Sequence, residues 1–462
     1  MYSLARHSHA GGLSGMGAAL SYDEALTYLG QFINYEVRPP ASYTPGRFDL
    51  QAFVDFLESL GAPHRAFPSV HIAGSKGKGS TAAIVAAILS QAGLHTGLFT
   101  SPHLVTIRER AQIDREPISR EDFAALVSEL RTHLDGVMAA QRRARTFFEL
   151  TTALGFLHFA RRQVDIAVVE VGLGGRLDTT NVLTPQVAVL TPIGYEHTRL
   201  LGDTLSAIAG EKAGIIKPHI RVVSAPQAPE VVEVFARRCQ DQAANLILAE
   251  RDFQWHVELA SRHGTRLHFD GLGQSWRDLT LPLLGRHQAA NAAVALATIA
   301  QLQQQGWPIT EAHVRQGMAQ VHWEGRMEVL GRAPWVLLDG AHTVEAATCL
   351  RQALTELFPQ QRLAFVLGIS TDKKIPEIIA TLAPVAHSMT VTRVNSPRAC
   401  APEELAALVK AHGVQVHIEP DPVVALAQAR SQAQAMDVVC VTGSLLLIGE
   451  VKARLQGLTP EF

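Results

Sequence analysis

The sequence predicts an α/β fold in two parts, a P-loop-type N-terminal domain followed by a smaller Rossmann-like α/β domain. Three observations lead there. Apolar runs such as residues 165–171 and 186–190 are continuous rather than alternating, as strands buried on both faces of a parallel sheet are. Such runs alternate with helical patterns along most of the 462 residues, with a second βα series beyond residue 335. The first run, 67–73, leads into Gly74-Ser-Lys-Gly-Lys-Gly-Ser-Thr81, a glycine-rich turn that opens a helix. The expected division is a flexible N-terminus over 1–20, a domain over 21–321 and a second over 322–462, joined near Val-His-Trp-Glu-Gly at 321–325.

Taken in order, a helix is expected over 21–36, with Ser21 as N-cap and Glu24 three places on. A loop rich in Pro and Gly covers 38–47, and a second helix covers 50–60. After the glycine turn come a helix over 82–91 opened by Ser80 and Thr81, a strand over 97–100, and helices over 121–142 and 147–163. Strands follow at 165–171 and 186–190, then a helix over 207–217 stopped by Pro218. Residues 219–285 alternate β-like stretches with turns, and an Ala-rich helix runs to about 304. The second series has strands at 335–338, 363–367, 388–391, 414–418 and 438–442. Its helices are expected from 343 to about 357 and at about 374–383, 402–412 and 423–435.

Composition narrows the function classes. Hydrophobic residues make up 47% and the formal net charge is −2 with no long basic block, which speaks against a general nucleic-acid binder. The four cysteines show no C-x-x-C spacing, so neither a zinc site nor a disulfide framework is indicated, and a reducing cytoplasm fits. No run is long enough to span a bilayer, and the first twenty residues are too broken for a signal peptide.

The chemistry gathers at strand exits. In the glycine turn, Gly74, Gly77 and Gly79 free backbone N–H groups to face a phosphate, the helix start adds partial positive charge, and Lys78 reaches outer phosphates. The strict G-x-x-x-x-G-K-[ST] pattern fails, with Ile72 at the first glycine and Gly79 directly after Lys78, so this is a variant loop; the bland alternative is an ordinary βα turn with solvated lysines. Ser101, Glu170 and His197 stand at the exits of three further strands, Glu170 near the end of its own, where α/β sheets place ligands. Ser101 alone reads as a turn residue, and Glu170 is a carboxylate that burial forces into a pair or onto a metal. Together the three suit Mg²⁺ beside a triphosphate. Lys212 by itself reads as a solvated helix residue.

These segments, with Thr100-Ser-Pro-His-Leu104, Thr146-Phe-Phe-Glu149, Glu170-Val-Gly-Leu-Gly-Gly-Arg-Leu-Asp-Thr-Thr-Asn181, Glu211-Lys-Ala-Gly-Ile-Ile-Lys217, Gly285-Arg-His-Gln288, Gly325-Arg326, Asp339-Gly-Ala-His342 and Thr442-Gly-Ser444, resemble the folylpolyglutamate synthase/dihydrofolate synthase family of the Mur ligase superfamily. The resemblance implies an ATP-dependent amide ligase, cytoplasmic and monomeric. It would join L-glutamate to dihydropteroate or to the γ-carboxylate of reduced folates, with ATP and Mg²⁺ and no nucleic-acid or membrane partner. It implies ATP contacts at Gly74, Gly77, Lys78, Gly79, Ser80, Thr81, Asn291, Arg326 and Asp339. Magnesium would be held by Ser101, Glu170, His197 and a carbamate on Lys212, with Lys78, Glu170, His197 and Lys212 as the catalytic set. Substrate contacts are implied at Thr146, Phe147, Asp178, Thr179, His342 and Ser444. Ser75-Lys76, Glu196 before His197 and Thr343 after His342 depart from the commoner family pattern and bear on substrate preference. Two other classes remain: a Mur-type ligase of cell-wall precursors and a non-enzymatic nucleotide-binding switch.

Overall fold

A computed structural model describes residues 19–38, 40, 42–141 and 145–461. Residues 1–18, and with them most of the N-terminus expected to be flexible, lie outside the described residues, as does 142 at the end of an expected helix.

Two large sheets organise the chain. The first has eight strands: β1 (Ser69–Ala73), β2 (Thr96–Phe99), β3 (Ala111–Ile113), β4 (Glu116–Pro117), β5 (Ile166–Glu170), β6 (Val187–Leu190), β7 (Arg221–Ser224) and β8 (Asn245–Leu248). Their order is β4-β3-β2-β5-β1-β6-β7-β8, parallel except for the pairings of β3 and β4. Strands β1, β5 and β6 are buried along their whole length, which is why their sequences are continuous apolar runs. The helix Lys78–Gln91 lies on one face and is buried from Ser80 to Leu89. It is covered in turn by the helix Arg286–Gln304 and an antiparallel sheet of β9 (Phe253–Ser261), β10 (Gly264–Gly271) and β11 (Gln274–Leu281). A helix surrounded in this way has no polar face to show, hence its uniformly small and apolar residues.

The second large sheet contains β12 (Glu328–Arg332), β13 (Trp335–Asp339), β14 (Leu363–Leu367), β15 (Ala386–Val391), β16 (Gln415–Ile418) and β17 (Val438–Thr442) in the order β12-β13-β17-β14-β15-β16. It is parallel apart from β12. Helices flank both faces, as expected of a doubly wound layer.

Several boundaries differ from expectation. The first helix spans only Tyr22–Gly30, with the capping box at Ser21 and Glu24. Beyond Gly30 the chain turns so that Ile33 bridges Thr146 and its carbonyl accepts from the Phe147 amide. The helix after the glycine turn opens at Lys78, two residues before Ser80. The segment expected to be helical to 217 is α-helical only over Leu205–Lys212 and tightens to a 3-10 turn at Ala213–Ile215, so Lys212 is at a helix end and not in its middle. Residues 219–285 contain a full helix, Pro229–Asp241, where only β-like stretches were expected. Val231, Phe235 and Cys239 form its buried stripe at i, i+4 and i+8, and the polar residues between them mask the period.

Candidate active site

Strands β2, β5, β1 and β6 are adjacent and parallel, so their C-terminal ends open at one edge. Residues 74–77, 100–104, 171–178 and 191–197 therefore meet there, where doubly wound sheets bind ligands. The glycine turn is packed too closely for any side chain. A Cβ on Gly74 would lie 1.8 Å from the Thr191 hydroxyl oxygen, and one on Gly77, at φ 84°, 2.2 Å from Asn291 Oδ1. One on Gly79 would meet the Trp323 ring at 2.8 Å. The Ser75 and Lys76 amides donate to the Pro192 carbonyl at 3.0 and 3.3 Å, tying the turn to the β6 exit. Ser80 and Thr81 are buried behind it.

Three lysines and two carboxylates converge on this turn. Lys78 Nζ donates to the Gly74 carbonyl at 3.2 Å and stands 3.9 Å from Glu170 Oε1. The Ser101 amide donates to the other oxygen of Glu170 at 3.3 Å. Burial raises the Glu170 pKa, with Lys78 opposing. Lys212 is 2% exposed, and its Nζ donates to the Gly74 carbonyl at 2.9 Å and to Glu196 Oε1 at 2.7 Å. Lys76 Nζ is 3.9 Å from Glu196 Oε2. Burial drives Lys212 down to about 8 against the pull of Glu196. For Glu196, burial works upward, but Lys212, Lys78 and Lys76 override it and hold the carboxyl at about 2. Lys212 is thus a buried counter-ion, not the solvated residue its sequence position suggested.

Lys212 is held in place by backbone. A Cβ on Gly175 would lie 2.8 and 2.9 Å from the carbonyl oxygens of Glu211 and Lys212, and one on Gly214 would lie 2.4 Å from Arg176 Cα. The Arg176 amide donates to the Glu211 carbonyl at 2.8 Å, and its guanidinium grips the Glu211 carboxylate at 3.0 and 2.8 Å. The glycines of residues 172–175 therefore let one loop lie flat on the helix end that bears the lysine.

Beside this centre is a cavity of about 240 Å³. Aromatic and aliphatic walls come from Tyr43, Phe48, Phe53, Phe148, Leu173 and Leu177, and polar groups from Thr146, Asp178, Thr179 and His197. Lys373, Asp372 and Arg398, beyond β14 and β15 of the second large sheet, also line it. Thr146 caps the helix Phe147–Arg161 and Asp178 the turn Thr179–Val182. Phe147 does not reach the cavity: it is buried in the core beneath the Arg110 guanidinium, and Phe148 faces the cavity instead. Tyr43 holds the wall through its hydroxyl, which accepts from the Leu177 amide at 3.1 Å and donates to the Leu173 carbonyl at 3.1 Å.

A third group lies at the ends of β13 and β17. Asp339 accepts from the Met327 and Ala341 amides, both at 2.9 Å, so its two oxygens brace a turn. Arg326 Nη1 donates to the Gly325 carbonyl at 3.0 Å and lies against Gly340. His342 Nδ1 donates to the Gly340 carbonyl at 2.7 Å, which leaves Nε2 as an acceptor. Ser444 caps the helix Leu445–Leu455 through a bond from the Leu446 amide. The Arg326 charge lowers the Glu170 pKa and that of Lys76 lowers the His342 pKa, so this group lies within electrostatic reach of the lysine centre.

Of the sequence-derived site residues, the glycine turn, Lys78, Ser101, Glu170, Lys212 and Asn291 form one centre. Thr146, Asp178, Thr179 and His197 line the cavity beside it, Arg326, Asp339, His342 and Ser444 form the facing group, and Phe147 stands apart. Glu196 as a counter-ion, and Tyr43, Lys373 and Arg398 as cavity walls, were not found from sequence.

Comparison with known proteins defines the class and then the family. Two domain models match, Mur ligase middle domain over residues 72–299 and Mur ligase, glutamate ligase domain over 325–445. The chain is 31% identical to the dihydrofolate synthase/folylpolyglutamate synthase of Bacillus subtilis (strain 168), over 94% of this chain and 99% of that one. A structure of Mycobacterium tuberculosis folylpolyglutamate synthase complexed with ADP superposes with a TM-score of 0.86 at 34% identity, covering 95% of this chain and 100% of that one. E. coli FolC in complex with DHPP and ADP superposes at 0.82 with 27% identity, covering 95% and 98%. The chain belongs to the folylpolyglutamate synthase/dihydrofolate synthase family of the Mur ligase superfamily.

Proposed function

We propose that this protein is an ATP-dependent ligase that joins L-glutamate to dihydropteroate, to the γ-carboxylate of reduced folates, or to both. The carrying observation is the convergence of Lys78, Glu170, Ser101, Lys212 and Glu196 on the Gly74–Gly77 turn, beside an aromatic-walled cavity. ATP is read as lying with its phosphates over the amides of residues 77–81, with Asn291, Arg326 and Asp339 around the nucleotide. The acceptor ring is read as lying in the cavity between Thr146, Phe148, Asp178 and Thr179. Its carboxylate takes the γ-phosphoryl group to give an acyl phosphate and ADP. The glutamate amine, placed by His342 and Ser444, then attacks the acyl carbon and phosphate leaves. Lys78 balances charge on the transferring group and on the oxyanion.

A hydroxyl, a buried carboxylate and an imidazole make a donor set that fits Mg²⁺. Magnesium on Ser101, Glu170 and His197 would neutralise the phosphate oxygens. Lys212 joins that set only as a carbamate, because an ammonium has no lone pair to give; as an ammonium it serves as counter-ion to Glu196. We take residues 21–321 and 322–462 as the two working domains, and the protein as a cytoplasmic monomer. No helix among the described residues is long and apolar enough to cross a membrane.

The test is phosphate release from Mg-ATP and glutamate with dihydropteroate in one reaction and tetrahydrofolate in another, with Glu170→Ala as control. Release that depends on either acceptor and is lost in the variant is expected. Silence with both acceptors, from folded protein that binds ATP, would overturn the proposal.

A further inference from the structure

His71 lies in the middle of β1, three residues before Gly74, and is fully buried. Its Nε2 is 2.8 Å from the Thr180 hydroxyl oxygen, which is itself 2.5 Å from Asp178 Oδ1. Asp178 Oδ1 also accepts from the Thr180 amide at 3.0 Å, and Oδ2 accepts from the Leu173 amide at 2.8 Å. Burial raises the Asp178 pKa, while the Thr180 hydroxyl and the Thr180, Leu173 and Gly172 amides oppose it by favouring the carboxylate. With those donors turned on it, the carboxylate takes the single Thr180 hydroxyl proton. The hydroxyl oxygen must then accept from His71, which requires the proton on Nε2. Nδ1 is left as a bare lone pair, and it has no hydrogen-bond partner among the described residues. The opposite tautomer would bury an orphaned N–H in its place and turn an acceptor towards the hydroxyl oxygen, a costlier arrangement. Burial and the nearby Lys217 ammonium, itself bonded to the Asn181 carbonyl at 2.8 Å, drive the imidazole down to about 3, so the ring is neutral.

The chain His71–Thr180–Asp178–Leu173 thus runs from the central strand to the cavity wall. Gly172, Leu173, Asp178 and Thr179 all line that cavity, whereas His71 does not. We infer that His71 is a positioning residue for the acceptor substrate: its Nε2–H orients the Thr180 hydroxyl, which fixes the Asp178 carboxylate and with it the wall formed by residues 172–173. This rests on reading the cavity as the acceptor site of a glutamate ligase. His71 touches no substrate and takes no part in proton transfer. It sets how well the ring is held, while the phosphate turn three residues on is held separately by its packing on Thr191 and Asn291.

The test compares His71→Leu, which removes the donor at similar volume, with His71→Gln, whose amide N–H reaches about where Nε2–H does. In steady-state assays, His71→Leu is expected to raise KM for whichever acceptor the parent uses, dihydropteroate or tetrahydrofolate, ten- to a hundredfold while KM for ATP stays within twofold. His71→Gln is expected to stay within threefold of the parent on both. Equal changes in both KM values, no change in either, or a Gln variant as impaired as Leu would overturn the inference. Should His71→Leu fail to fold, Thr180→Val breaks the same chain and is expected to give the same split. Independently of any substrate, ¹⁵N NMR of the parent protein is expected to find His71 as the neutral Nε2–H tautomer from pH 5 to 9. An Nδ1–H tautomer or an imidazolium would sink the hydrogen-bond chain. Silence of the parent with every acceptor would refute the ligase reading and leave the NMR result to decide the chain.

Discussion

Glu196 is the residue on which the charge balance of the lysine centre turns. Removing one partner of a buried pair leaves the other uncompensated, at a typical cost of about 3–5 kcal/mol. Glu196→Gln is therefore expected to destabilise the protein at pH 7, read from urea unfolding. Its folded pKa, about 2, lies below the ordinary value of 4.5, so its contribution is present above pH 4.5 and is lost as pH falls towards 2. The gap between parent and variant should accordingly narrow between pH 5 and pH 3; a gap that does not change would show that Glu196 is not held ionised by the lysines. Gly175→Ala tests how Lys212 is placed, since its methyl would press on the carbonyls of residues 211 and 212. A loss of about 1–3 kcal/mol in stability, with a fall in kcat, is expected. At this scale the sequence marked Ser101 and Glu170 because reactive side chains there follow apolar strands. It could not mark Tyr43, Lys373 or Arg398, which sit in loops whose path no periodicity dictates. Phe147, which the family resemblance implied as a substrate contact, is buried in the core, and Phe148 lines the cavity, because the phase of a helix is set by what it packs against.

At the level of elements, the glycine turn and the helix Phe147–Arg161 make separate predictions. Gly77 adopts a left-handed conformation against Asn291, and an alanine would have to push that side chain away. Gly77→Ala is expected to weaken ATP binding at least tenfold by calorimetric titration, with KM for the acceptor little changed. Thr146 and Glu149 form a reciprocal cap, with bonds of 3.2 and 2.8 Å, at the point where Phe148 enters the cavity. Thr146→Ala is expected to cost about 1 kcal/mol and to raise KM for the acceptor. Strands β1, β5, β6, β13 and β17 were legible because double-sided burial leaves unbroken apolar runs, whereas the short or half-exposed β3, β4 and β12 were not placed. The helix Pro229–Asp241 was not, because one face is solvent-exposed and its three buried residues are diluted among charges. The first helix was read too long because Phe32 and Ile33 continue the apolar period, although Ile33 serves a bridge to Thr146.

Across the whole molecule, the two large sheets are joined by more than the stretch of chain between the helix Glu311–Gln320 and β12. Glu461, beyond the last helix, accepts through its carboxylate from the Tyr22 and Thr106 hydroxyls and the Ile107 amide, at 2.8, 2.7 and 3.0 Å. Its own amide donates to the Val105 carbonyl at 2.9 Å. Glu461→Ala should remove protection from hydrogen exchange at the Ile107 amide, and unchanged protection there would mean the contact is not formed in solution. Lys452 on the last helix pairs with Glu324, ahead of the second sheet, and with Glu328 at the start of β12. The two-part α/β architecture was legible from the repeated βα pattern. These cross-connections were not, because they depend on residues hundreds of positions apart with no periodic signature.

Leu104 and Val105, three and four residues after Ser101, are buried within the cluster that contains Val336, Leu338, Leu447 and Ile448. A segment that leaves the first sheet thus contributes side chains to the interior of the second. Extracting two such residues into water costs about 1.5–3 kcal/mol each. Neither half can melt without exposing surface that belongs to the other, so heat should unfold the chain in one cooperative step. The calorimetric enthalpy should then equal the van't Hoff enthalpy, despite a length at which independent domain transitions are common.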